Sequence, residues 1–151
     1  MSLQDQVTKA IADAMRAKDH TRLDALRMLK AALVNREVEK ARALDEAESL
    51  QVVVGLIKQR RESIRLFREG KRQDLVEKEE AELQILLSYL PPPFSQTEVE
   101  ILIDQVIGES QATGPKDHGK VMKAAMAKIA GRAEGKAVSE IVKQKLSKMA
   151  S

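Results

Sequence analysis

Three consecutive prolines, Pro91 to Pro93 in "SYLPPPFSQ", interrupt a chain whose other stretches read as helix. Proline lacks a backbone N–H and fixes φ, so the run cannot continue an α-helix. It favours an extended, stiff connection instead. On either side, apolar residues recur at helical spacing. The prolines therefore predict two helical domains, residues 1–90 and 95–151, joined by a linker over 91–94.

Four helices are expected before the linker. Ser2 with Asp5 caps a first, from Leu3 to about Ala17. Thr21 with Asp24 starts a second, which carries Leu23, Leu26, Leu29 and Leu33 and runs to about Ala41. Asp45 with Glu48 makes a capping box for a third, and Gly70 is placed to end it. Asp74 with Glu77 opens a fourth. After the linker, Ser95 with Glu98 caps a fifth helix, "GPKD" opens a sixth, and a seventh starts near Gly135. The fold class is all-α: a four-helix domain followed by a three-helix domain. Aromatic residues are 2% of the chain, so the core must be built from Leu, Ile, Val, Met and Ala.

The small net charge of +3 hides an uneven distribution. From Phe94 to Thr113 there are four acids and no base; from Gly114 to Ser151 there are nine bases against Asp117, Glu134 and Glu140. A basic final quarter points to a polyanion more than to a small substrate. Lys116, Lys120 and Lys123 share one face of the sixth helix, Lys128 and Arg132 flank its end, and Lys136 follows. These six are the expected RNA-binding residues, acting mainly on phosphate. Between the sixth and seventh helices, Gly131, Ala133 and Gly135 form a structural corner. Gly131 is suited to the left-handed conformation, and Gly135 stands where bulk is expected to be excluded.

A second basic stripe, Lys58, Arg61, Arg65 and Arg68, recurs along the third helix. It either pairs with the acid-rich fourth helix or forms an RNA-contacting ridge. Glu79, Glu80 and Glu82 read chiefly as a solvated acidic surface, some of them free to pair with that stripe.

Catalytic chemistry is not visible. No nucleophile with a partnered base stands out, no phosphate-binding glycine loop is present, and His20 and His118 read as surface residues. Neither a metal nor a cofactor is expected. Cysteine is absent, no segment approaches the ~20 apolar residues of a membrane span, and the first residues hold no secretory signal. A soluble, cytoplasmic monomer with no membrane partner is expected.

Several separated motifs carry a family resemblance. "LRMLKAAL" (Leu26 to Leu33), "IKQRRESI" (Ile57 to Ile64) and "EKEEAELQILLSYLP" (Glu77 to Pro91) resemble the N-terminal part of the YqeY family. "GKVM" (Gly119 to Met122) and "GRAEGKAVSEIVKQKL" (Gly131 to Leu146) resemble the tail domain of the B subunit of the glutamine-dependent aminoacyl-tRNA amidotransferase, with which YqeY proteins end. At the corner, Glu134 replaces the Asp or Asn usual in that family, a poorer cap. The resemblance implies a non-catalytic accessory protein that binds tRNA. It leaves open an adaptor docking on a tRNA synthetase or amidotransferase, or a component of carbon–nitrogen ligase activity with glutamine as amido donor. The segments that carry the amidotransferase's catalytic centres have no counterpart here.

Overall fold

The computed structural model describes residues 1–149. Seven α-helices follow one another: α1 (Leu3–Ala17), α2 (His20–Lys40), α3 (Glu46–Glu69), α4 (Gln73–Leu87), α5 (Gln96–Ser110), α6 (His118–Ile129) and α7 (Gly135–Met149). A single 3-10 turn, Pro115–Asp117, precedes α6, and no strand occurs among the described residues. The fold is all-α. The chain separates into two compact units, Met1–Leu90 and the residues from Pro91 onward.

The first unit packs α1 to α4 around Val7, Leu26, Leu29, Leu33, Val53, Val76 and Leu86, all essentially inaccessible to solvent. Each contributes roughly 1.5–3 kcal/mol relative to an exposed position. The second unit has a smaller core, in which Ile103, Val121, Ala125, Ile129, Val138, Val142 and Leu146 fill the space between α5, α6 and α7. Alanine at position 125 allows close approach of neighbouring helices where leucine would hold them apart.

Two capping boxes form as the sequence implies. The Glu48 N–H donates to the Asp45 carboxylate at 2.8 Å, and the Glu98 N–H donates to the Ser95 hydroxyl at 3.1 Å. Two other helix starts differ. The second helix begins at His20, with Asp19 accepting from the Arg22 N–H, so Thr21 and Asp24 lie inside it. The fourth begins at Gln73, after an Arg72 that makes no side-chain cap; Asp74 sits in the first turn and pairs with Arg72 at 3.2 Å.

Helix ends differ more. Gly70 has φ −80°, and the left-handed position after α3 falls to Lys71 at φ 56°. Lys18, Ala41, Gln111 and Ala130 hold the same conformation at other helix ends. After α6 the left-handed geometry spans two residues, Ala130 at φ 48° and Gly131 at φ 81°.

The basic stripe on α3 does not act as one unit. Arg68 pairs with Glu80 of α4, whereas Arg65 pairs with Glu62 and Glu69 of its own helix. The main tie between the helices is Arg60, outside that stripe. Its guanidinium pairs with Glu79 and, at 2.9 Å, with Glu82, and reaches the Met28 sulfur of α2. Glu82 is 3% exposed, so the expectation of a solvated acidic run fails there. A buried carboxylate persists because a charged, hydrogen-bonding partner lies beside it.

Candidate nucleic-acid interface

Two contacts set the register of α6 against α7. The His118 Nε2 lies 3.2 Å from the Ser139 hydroxyl, and a Cβ on Gly135 would stand 3.8 Å from the Met126 methyl. Later residues of α6 thus meet earlier residues of α7, an antiparallel pairing. In that register Lys123 and Lys136 fall at the same level. Gly135 has room for a Cβ, which would meet only the Met126 methyl at ordinary contact distance. Gly131 is the glycine the corner requires, because its φ of 81° is strained for any L side chain. Ala133, half-buried, packs on the unit's core.

The six expected RNA-binding residues do not form one patch. Lys120 donates to the Ser110 carbonyl at 2.7 Å, and Lys128 pairs with Glu109 at 2.9 Å, so both turn toward the end of α5. Arg132 is half-buried and donates through Nε to the Pro92 carbonyl at 2.8 Å. Lys116 lies in the 3-10 turn before α6, so it does not share a face of that helix with Lys120 and Lys123; Lys116, Lys123 and Lys136 are exposed and enter no ion pair among the described residues. Lys143, seven residues after Lys136 on α7, shares these properties, although it lies outside the six expected residues. Helical spacing from Lys136 was the signal for it.

The acids of this unit are mostly engaged. Asp104 pairs with Lys145 at 2.9 Å. The Ser95 backbone N–H, and to a smaller degree the Arg132 charge, hold the Glu98 carboxyl below its usual range. The Thr113 backbone N–H does the same for Asp117. The acids of α5 thus pair with Lys128 and Lys145, whereas Lys123, Lys136 and Lys143 enter no ion pair among the described residues and Glu140 is exposed between the last two.

His118 and Ser139 are a pair that sequence reasoning missed, being twenty-one residues apart. A serine beside an imidazole is half of a nucleophile arrangement. The adjacent Asp117 carboxylate accepts instead from the Thr113 N–H at 2.8 Å, and so supplies no orienting group to the imidazole. The contact ties the start of α6 to the second turn of α7. Among the described residues no cluster of His, Asp or Glu could hold a metal ion, and no helix is long and apolar enough to cross a membrane.

A family model described as "Yqey-like protein" matches residues 4–146. Curated relatives are named "Altered inheritance of mitochondria protein 41, mitochondrial". The one from Pyrenophora tritici-repentis is 30% identical over 92% of this chain and 76% of its own length. Those from Lachancea thermotolerans and Kluyveromyces lactis are 34% and 37% identical, over 71% and 68% of this chain. The matched region spans only 59% and 57% of these two relatives. The cytoplasmic placement expected from the sequence is corrected by these names, which are those of mitochondrial proteins.

Proposed function

The chain belongs to the YqeY family, and from that premise we propose that it is a non-catalytic accessory protein that binds tRNA through its second unit. One observation carries the reading. Lys116, Lys123, Lys136 and Lys143 remain exposed and outside any ion pair among the described residues, while the acids of α5 neutralise Lys128 and Lys145 on another side. Glu140, exposed between Lys136 and Lys143 on α7, offsets part of this charge, and the excess of lysines that remains favours a polyanion. Neither α6 nor α7 carries an aromatic residue on which a base could stack. Contacts to phosphate and recognition of folded RNA shape fit this surface better than reading of single-stranded bases. The resemblance of Gly119 to Leu146 to the amidotransferase tail domain supports tRNA as the RNA.

A second reading, an adaptor for a tRNA synthetase or amidotransferase, is favoured by Val34 and Val38. Both are exposed on α2, Val38 by 74%. Titration of bulk tRNA against the protein and its K123A/K136A/K143A variant separates the two. Each lost phosphate contact lowers the slope of log affinity against log salt by roughly 0.9 on duplex nucleic acid, so the variant should flatten it by about two to three units. A folded variant with unchanged affinity and slope would put the adaptor first.

A further inference from the structure

Arg132 differs from the other expected contacts because it is held in place. Its Nε–H donates to the Pro92 carbonyl at 2.8 Å, and its guanidinium lies over the Phe94 ring, 3.9 Å from the centroid. Its own carbonyl accepts the Phe94 N–H at 2.8 Å. Backbone and side chain of one residue thus clasp the segment from Pro92 to Phe94 against the corner after α6. The clasp engages one ring-facing side and one of the five N–H donors of the guanidinium. Its terminal amino groups make no hydrogen bond among the described residues.

We propose that Arg132 is a pre-organised phosphate anchor, and that Phe94 and the Pro92 carbonyl are the positioning groups that aim it. This rests on the RNA-binding reading above. A free arginine loses rotamer freedom when it grips a ligand; here folding has already removed much of that freedom, so binding loses less. The planar fork that remains presents two parallel donors, the arrangement that suits a phosphodiester and that lysine cannot reproduce. Proline at position 92 serves the same end, since its fixed φ stiffens the segment that supplies the accepting carbonyl. The Glu98 carboxylate feels the Arg132 charge and opposes an incoming anion.

The test measures binding of bulk tRNA by fluorescence anisotropy at one low salt concentration, with helicity checked by circular dichroism. Arg132→Lys keeps the charge but loses the fork and the Nε contact. It should weaken binding about two- to tenfold, the freedom of one long side chain. Phe94→Leu should weaken it about two- to fivefold, the size of a surface cation–π contact. The F94L/R132K double variant should be no weaker than R132K alone, because Phe94 acts only through the arginine. Glu98→Gln retains the cap and should tighten binding. If the wild type binds tRNA and R132K binds equally well, the anchor is refuted and the RNA reading survives. Full additivity of F94L and R132K would refute the positioning role. A wild type that binds no tRNA would refute both readings.

Discussion

Replacing Arg60 with methionine should be among the most damaging single changes in the first unit. Methionine keeps most of the length and apolar stem but leaves Glu79 and Glu82 without their cation. Side-chain exposure of Glu82 is 4%, against 14% for Arg60 itself. Breaking a buried pair by removing one partner costs about 3–5 kcal/mol, because the remaining charge stays desolvated. A small domain is stable by about 5–15 kcal/mol, so this is a large fraction of the total. With a urea dependence of about 1 kcal/mol per molar, the midpoint should fall by about 3 M or more. The chain holds one tyrosine, Tyr89, and no tryptophan. Tyr89 packs on the first unit's core, so its fluorescence follows that unit during urea titration. Arg65→Ala is the control, because its two carboxylates are exposed and surface pairs contribute little. Converting Arg60, Glu79 and Glu82 together to methionine should recover much of the loss. If R60M moves the midpoint no further than R65A, the cluster is not a buried tie and the reasoning fails.

Three further outcomes are expected. Gly131→Ala should lower stability by about 1–2 kcal/mol because of its left-handed backbone, whereas Gly135→Ala, which meets only the Met126 methyl, should leave the melting temperature nearly unchanged. Arg42 first, then Lys40 and the Asp45 N–H, hold the Glu48 carboxyl well below its usual range. A depressed folded-state value means stability present above the unfolded value of about 4.5 and lost as pH falls through the folded one, so acid titration should destabilise the wild type more than Glu48→Gln. A fragment beginning at Pro91 should melt higher than one beginning at Ser95, because only the first keeps Pro92 and Phe94 on Arg132; equal melting would show that the clasp adds nothing.

Local signals were read well from the sequence. The capping boxes at Asp45 and Ser95 depend on residues three apart, and the proline run halts a helix by its own chemistry. What the sequence hid depends on residues brought together from far away. Arg60 sits one position from Arg61, which the regular spacing favoured, and only packing of α2, α3 and α4 shows which guanidinium is buried. Lys120 and Lys128, exposed like their neighbours, looked unengaged until Ser110 and Glu109 came within reach. Arg132 read as a free cation because nothing in the pattern joins it to a proline forty residues earlier. Gly70 and Gly131 were expected to end α3 and α6, yet Lys71 and Ala130 hold left-handed positions there, as Lys18, Ala41 and Gln111 do after α1, α2 and α5; such a residue is tolerated when its N–H closes back onto the last turn.

Those five corners leave room for heat resistance. Lys18, Ala41, Lys71, Gln111 and Ala130 each keep a Cβ where the backbone disfavours one, at about 1 kcal/mol or more. Glycine relieves that strain while loosening the unfolded chain, so the net gain per site is a fraction of it. Gains at well-separated corners add, and 1 kcal/mol raises the melting point of a domain this small by about 4–8 °C. The natural sequence thus operates well short of the thermal ceiling its own architecture permits, and glycine scanning of these corners is a direct route to a thermostable form.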